Sequence, residues 1–134
     1  MKVDLHPKVC PICGGKVEYI RLRALYGDYL KYGEKSGFCY HCKNCDATVG
    51  THKKNPTEAL GLLANKETRG LRQRNHDMFD KFWKTKKERS VYYDKLAKEM
   101  GIAPEECHFA WFSKEELEQS YQIMLRWWRE KYDR

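Results

Sequence analysis

The chain carries two similar hexapeptides, Cys10-Pro11-Ile12-Cys13-Gly14-Gly15 and Cys42-Lys43-Asn44-Cys45-Asp46-Ala47, here termed knuckle 1 and knuckle 2. In each, two cysteines separated by two residues can turn back onto one cation, and two such pairs supply the four thiolates of a tetrahedral structural zinc site. The glycines after Cys13 permit a positive-φ turn, and Asp46-Ala47 gives knuckle 2 a more constrained turn of the same kind. A disulfide or a set of free buried thiols is the alternative. We expect one structural Zn²⁺ bound by Cys10, Cys13, Cys42 and Cys45.

Cys39 leaves the second pair ambiguous, because Cys39-x2-Cys42-x2-Cys45 contains two overlapping pairs. The turn residues after Cys45 resemble those after Cys13, which favours Cys42 and Cys45 as the ligands. Three histidines could also bind a metal: His41, His52 and His108. For each, a surface or hydrogen-bonded histidine is the more common case. Four thiolates leave no open position for water or substrate, so a structural rather than catalytic zinc ion is expected.

The length of 134 residues fits one domain, or a small metal-stapled module joined to a helical one. A front part of about 50 residues is small enough that a metal usually has to replace missing hydrophobic core. The rest can bury more, because many of the aromatic residues follow residue 78. We therefore predict a zinc ribbon over residues 1–55 and a helical region over residues 56–134, packed together as one compact unit.

The six cysteines do not indicate secretion, because no apolar stretch follows Met1-Lys2-Val3-Asp4-Leu5. We expect neither a signal peptide nor a membrane-spanning segment. The natural location is then the reducing cytoplasm, where paired cysteines are read as metal ligands before disulfides.

Positive charge is concentrated at the front of the chain, whose formal net charge is +7. Residues 1–56 hold ten of the 26 basic residues and five of the 19 acidic ones, which leaves sixteen and fourteen for residues 57–134. Four thiolates and one Zn²⁺ would add −2 and lower the total to about +5. A polyanionic partner and a plain solvated surface both account for this excess.

Alternating polarity predicts short antiparallel strands around the knuckles. Residues 16–22 alternate polar and apolar side chains, which is typical of a strand with one buried face. Residues 26–37 are rich in Gly and Tyr and predict turns, residues 38–41 form a strand entering knuckle 2, and residues 48–51 form a last strand. These β-hairpins make a zinc ribbon with both knuckles at one end of the sheet.

Helical periodicity governs the remainder of the chain. We expect a short helix over residues 57–63, a longer one over about 67–84, another over 90–100 ending at Gly101, and a last one from the Ser113 capping box to about residue 132. In the last helix Leu117, Tyr121, Met124, Leu125 and Trp128 are expected to be buried, whereas Trp127 lies off that stripe as a candidate exposed anchor. The predicted fold class is α+β: an N-terminal zinc ribbon packed on a C-terminal bundle of about four helices.

The order of these features resembles a family of zinc-finger-containing domains of unknown function found in bacteriophage and bacterial proteins. The resemblance covers about residues 9–117 and rests on both knuckles, on Thr48-Val49-Gly50-Thr51-His52, on Arg74-Asn75-His76-Asp77-Met78-Phe79-Asp80, and on Tyr93, Leu96-Ala97, Met100-Gly101 and Cys107-His108-Phe109. The first motifs occur in many zinc ribbons, and the ordered set is more specific. The resemblance implies zinc on Cys10, Cys13, Cys42 and Cys45, and it implies no settled activity.

An enzyme would need a further set of side chains. A metal-dependent nuclease could draw only on His76, Asp77, Asp80 and His108. The first three share a helix face, but the acids could equally pair with Lys81 or Lys84, and metalloprotease and P-loop signatures are absent from the sequence. We expect no enzymatic activity and no catalytic residues.

The favoured function is the binding of nucleic acid, DNA or RNA, through a basic surface. Six cations on the ribbon are the candidate contacts: Lys16, Arg21, Arg23, Lys43, Lys53 and Lys54. Tyr26, Tyr29 and Tyr32 are candidate stacking surfaces. The alternative is a phage or bacterial adaptor or inhibitor that binds a host protein through the Trp-rich C-terminal helix. A steep loss of affinity with salt distinguishes phosphate contacts from apolar ones.

Overall fold

The computed structural model describes residues 3–27 and 37–132. The chain divides into two compact units, Met1–Glu67 and Thr68–Arg134. The first unit contains an antiparallel sheet with the four knuckle cysteines clustered at one end of it, and the second unit is helical. The predicted α+β class with an N-terminal zinc ribbon is confirmed. No helix in the described part of the chain has the length and apolar character needed to cross a membrane.

The sheet of the first unit has three antiparallel strands in the order β1-β2-β3, namely Val17–Arg21, Phe38–Cys42 and Thr48–Gly50. The register pairs Val17 with Cys42 at the knuckle end and Arg21 with Phe38 at the far end. A five-residue helix α1, Leu22–Tyr26, follows β1 directly. The turns expected over residues 26–37 fall mostly outside the described residues.

The outer edge of β3 is covered by the segment for which a short helix was predicted. That prediction, for residues 57–63, is wrong. Ala64 exchanges backbone hydrogen bonds with Thr48 (2.8 and 3.0 Å), and the Leu60 N–H donates to the Gly50 carbonyl (3.0 Å). An exposed strand edge leaves backbone groups unpaired, and this segment satisfies them while Ala59 enters the core of the sheet.

Three long helices build the second unit: α2, Lys66–Phe79; α3, Lys86–Met100; and α4, Lys114–Tyr132. The α3 helix begins earlier than the predicted residue 90, because Thr85 and Glu88 form a capping box with hydrogen bonds of 3.1 and 3.2 Å. Gly101, with φ of 73°, ends α3 as predicted. The predicted capping box at Ser113 is also present, since Ser113 and Glu116 bond reciprocally at 3.0 and 3.2 Å.

Aromatic and aliphatic side chains fill the core of the helical unit. Those that are almost fully buried are Phe79, Phe109, Phe112, Leu96, Leu117 and Met124. Two short 3₁₀ helices, Pro104–Glu106 and Phe109–Trp111, connect α3 to α4, and Cys107, Phe109 and Phe112 of this connection are buried in the core.

One polar side chain lies in this core. Asn75 of α2 is fully buried and donates to the Leu117 carbonyl (2.8 Å) and to Ser120 Oγ (2.9 Å) of α4. A buried amide is tolerated only when it is hydrogen-bonded, so these bonds fix α2 against α4 at one position.

Trp127 is the main correction to the predicted core. It was expected to be exposed, but it is only 4% exposed and packs edge-on against Phe82, with ring centroids 5.5 Å apart. Its Nε1 donates to Glu99 Oε2 at 2.5 Å. Trp128, which was expected to be inside, is only partly buried.

Candidate metal centre

The four knuckle thiols converge at one point of the ribbon. The Sγ atoms of Cys10, Cys13, Cys42 and Cys45 all lie within 4.8 Å of one another. Cys10 and Cys45 are 3.6 Å apart, and Cys13 and Cys42 are 3.4 Å apart. A tetrahedral zinc ion with Zn–S bonds of about 2.3 Å holds its sulfurs about 3.8 Å apart, whereas disulfide sulfurs are about 2.05 Å apart. The cluster therefore fits one structural Zn²⁺.

The backbones of the two knuckles repeat one hydrogen-bond pattern. In knuckle 1 the Cys10 N–H donates to the Gly15 carbonyl and the Gly14 N–H donates to the Cys10 carbonyl, both at 2.9 Å. In knuckle 2 the equivalent bonds run from Cys42 to Ala47 (2.8 Å) and from Asp46 to Cys42 (3.1 Å). Positive φ angles follow the second cysteine of each pair, 75° at Gly14 and 67° at Asp46. Local sequence thus preforms both halves of the site.

Backbone N–H groups point at three of the sulfurs. The Gly15 N–H donates to Cys13 Sγ at 3.3 Å, and the N–H groups of Ile12 and Cys45 donate to Cys10 Sγ and Cys42 Sγ, both at 3.4 Å. Donors of this kind stabilise the negative charge that four thiolates bring to one metal ion.

The four thiols differ in exposure, and the pKa values of Cys13 and Cys45 are shifted in opposite directions. Cys10 and Cys42 are 2% and 0% exposed, whereas Cys13 faces solvent. A hydrogen bond from the Asn44 side chain, with the Gly15 N–H, lowers the pKa of Cys13 to about 6. At Cys45 the Ala47 N–H acts in the same direction, but burial and the neighbouring thiols outweigh it and raise the pKa to about 12. Metal binding requires all four thiols to lose their protons, and Cys13 ionises more readily than Cys45.

Cys39 does not take part in this cluster. It lies on β2 opposite Ile20 and Gly50, is 1% exposed, and has its pKa raised to about 11 by burial. Side chains alternate along a strand, so Cys39 and Cys42, three positions apart, lie on opposite faces of the sheet. The alternative pairing of Cys39 with Cys42 is therefore wrong.

His41 supports knuckle 2 without belonging to the thiol cluster. Its Nδ1 lies 2.7 Å from Glu18 Oε1, and its Nε2 lies 2.5 Å from Asp46 Oδ1. Burial opposes protonation of His41, but the hydrogen bonds to Asp46 and Glu18 prevail and raise its pKa. The His41 side chain thereby ties β1 to the turn that follows Cys45. Sequence reasoning missed this contact, although Glu18 and His41 become direct cross-strand partners once the register is known.

The six predicted nucleic-acid contacts separate into two groups. Lys16 and Lys43 lie at the knuckle end of the sheet, where the Lys43 N–H donates to the Lys16 carbonyl at 3.1 Å. The strand directions place the others toward the far end: Arg21 ends β1, Arg23 lies on α1, and Lys53 and Lys54 follow β3. All six side chains are exposed. Tyr29 and Tyr32 lie outside the described residues.

The side chains considered for a nuclease are occupied by structural contacts. His76 packs edge-on against Phe109 at 4.9 Å, and burial lowers its pKa. Asp77 accepts a hydrogen bond from Gln73, and Asp80 accepts one from Trp83 Nε1. Within residues 3–27 and 37–132, the thiol cluster is the one group of three or more His, Cys, Asp or Glu side chains close enough to hold a metal ion.

Comparison with known families agrees with this geometry. A family model described as a zinc-finger-containing domain matches residues 6–127, which is most of the chain. No curated protein and no solved structure gives a significant match. With four converging thiols and a match of this extent, the chain belongs to the zinc-finger-containing domain family.

Proposed function

We propose that this zinc-binding protein is a non-enzymatic nucleic-acid-binding protein that contacts phosphates through its ribbon. Four thiolates complete the zinc coordination, so no position on the metal is open to substrate or water. The metal therefore stabilises the ribbon and takes no part in chemistry. The observation that carries the proposal is the gathering of Arg21, Lys53 and Lys54 around the far end of the sheet.

Two hydrogen bonds hold the Lys53-Lys54 loop at that end. Before the loop, Thr51 Oγ1 donates to the Phe38 carbonyl at 3.2 Å. After it, the Tyr19 hydroxyl donates to the Pro56 carbonyl at 2.6 Å. Phe38 is the register partner of Arg21, and Tyr19 precedes Arg21 by two positions on β1. The loop is therefore held near the strand end that carries Arg21. Its two lysine side chains are exposed, which favours contacts with phosphates.

Two acidic side chains of the ribbon are paired away from the Lys53-Lys54 loop. Glu18 contacts His41 and Lys43, and Asp46 contacts His41. These contacts are at the knuckle end of the sheet. Phosphate contacts of this kind make affinity fall with salt, because each one releases condensed counterions.

Binding of fluorescent DNA and RNA across a salt series tests the proposal. The variant is Lys53→Glu with Lys54→Glu, and the matched control is Lys86→Glu with Lys87→Glu, an equal charge change on exposed residues of α3. We expect the first pair to lower affinity more than about tenfold and to reduce the slope of log K against log salt by about 1.4 to 2. The α3 pair should leave the slope nearly unchanged.

Two results would contradict the proposal: no binding of any nucleic acid at low salt, or an equal effect of both lysine pairs. Either would direct attention to a protein partner and a pull-down experiment. Trp127 cannot be the exposed contact for such a partner, because its ring is buried against Phe82 and Tyr92.

A further inference from the structure

We propose that the preferred partner is single-stranded nucleic acid and that an unpaired base stacks on the aromatic rings of Tyr19 and Phe38. This inference rests on the proposed function and specifies the strand type that the same surface takes. It comes from a row of rings on one face of the sheet, next to the far-end cations.

The row follows from the register of β1 and β2. Tyr19 lies opposite Tyr40, and Arg21 lies opposite Phe38, so all four side chains project from the same face. The rings of Tyr19 and Phe38 are stacked, with centroids 5.1 Å apart and planes 6° from parallel. The Arg21 guanidinium carbon lies 5.2 Å from the centroid of Phe38. A cation and two parallel rings therefore form one continuous stacking column.

Tyr19 is held in a fixed orientation while much of it faces solvent. Tyr19 is 40% exposed, whereas its cross-strand partner Tyr40 is only 7% exposed. The Tyr19 hydroxyl is used in the bond to the Pro56 carbonyl, and the Tyr40 hydroxyl donates to the Thr57 carbonyl at 2.5 Å. The orientation of the Tyr19 ring is therefore fixed before a ligand binds, which lowers the entropic cost of binding.

Cross-strand packing accounts for the contact between Tyr19 and Tyr40. It does not account for the 40% exposure of a ring that lies two positions from Arg21 and is hydrogen-bonded to Pro56, two residues after Lys54. Aromatic rings beside a positively charged track are the arrangement that binds single strands, because every unpaired base offers a π-face and the phosphates follow the cations. In a duplex the bases are already stacked on each other and cannot use the rings.

The test compares a single-stranded oligonucleotide with its own duplex in the full-length, zinc-loaded protein. We expect the single strand to bind about tenfold more tightly. Tyr19→Leu should remove most of this preference, with a loss on the order of tenfold for the single strand. Its salt slope should not change, because no phosphate contact is lost. Tyr19→Phe, which keeps the ring, should bind like the unmodified protein. Zinc content and circular dichroism confirm that each variant is folded.

A second measurement needs no variant. A single strand containing 5-iodouracil, irradiated in complex with the protein, should cross-link to the peptide that contains Tyr19 or Phe38. Equal affinity for the single strand and the duplex, or cross-links only at other peptides, would overturn the inference and leave nucleic-acid binding intact. Binding of neither form would instead overturn the proposed function itself.

Discussion

Gly15 shows how a single residue controls the metal site. A Cβ atom at this position would lie 2.7 Å from the Cβ of Asn44 and 3.1 Å from the sulfurs of Cys13 and Cys42. The same residue also donates its N–H to Cys13 Sγ. The absence of a side chain at Gly15 therefore lets the two knuckles approach closely enough for four sulfurs to share one ion.

We predict that Gly15→Ala weakens zinc binding and lowers the stability of the ribbon, because the backbone of Asn44 and two ligand sulfurs would have to move. Gly70→Ala is the matched control. Gly70 lies within α2, and apart from its chain neighbours and the helix's own backbone no atom lies within 4 Å of an added Cβ. There alanine should raise stability by about 0.5–1 kcal/mol.

Zinc content after exposure to a competing chelator, together with chemical unfolding, measures both variants. If Gly15→Ala retained zinc as well as Gly70→Ala does, close approach of the knuckles at Gly15 would not matter for the site.

At the scale of a single element, α4 shows why the apolar pattern of a sequence does not by itself identify the buried face of a helix. The expected stripe contained apolar residues only and omitted Ser120. Ser120 is fully buried, and it lies on one face with Leu117, Met124 and Trp127 at spacings of three, four and three residues. Because Ser120 is polar, the apolar pattern does not identify it as the centre of the buried face. Its hydroxyl is tolerated there because it accepts a hydrogen bond from Asn75.

We predict that Trp127→Ala lowers the free energy of unfolding of the helical unit by about 3–5 kcal/mol, the usual cost of deleting a buried aromatic ring. Tyr132→Ala, also on α4 but 57% exposed, should change it by less than about 0.5 kcal/mol. Denaturant unfolding followed by circular dichroism compares the two. A small effect at Trp127 would mean that its ring does not pack against Phe82 in solution.

At the scale of the whole molecule, the two units have separate hydrophobic cores. The core of the ribbon contains Cys10 and Cys42 together with Val17, Tyr40 and Val49, so two metal ligands are also core residues. The core of the helical unit draws its buried residues from positions 78–127 and includes none of the zinc ligands. Loss of the metal should therefore destabilise the ribbon before it affects the helical unit.

We predict that removing zinc, by a chelator or by Cys42→Ala, unfolds the ribbon and leaves the helices protected. Structural zinc supplies about 10–16 kcal/mol in small domains of this kind, more than a small core can replace. Hydrogen exchange should accelerate across β1 to β3 and remain slow in α3 and α4. Cys39→Ala is the control and should retain zinc, because its sulfur faces away from the cluster. Simultaneous loss of protection in both units would show that they fold cooperatively.

Much of the metal site followed from the residues alone. The paired cysteines, the turn residues after each pair and the helix signals at Ser113 and Gly101 depend on chemistry within a few positions of the chain. Ligand type and local backbone geometry have the same consequences wherever such a segment lies. The family resemblance implied the same four cysteines as zinc ligands, and it implied no activity.

The remaining features depended on contacts between residues distant in sequence. Strand register excluded Cys39 from the cluster and placed His41 between Glu18 and Asp46, because side-chain direction alternates along a strand. Residues 59–64 form β-bridges along the edge of β3, where local propensity indicated a helix, because the backbone groups of that edge need hydrogen-bond partners. Packing buried Trp127, and hydrogen bonds from the sheet placed the Lys53-Lys54 loop beside the aromatic row. Tertiary structure decided these points, because burial and pairing are properties of the partner surface as much as of the segment itself.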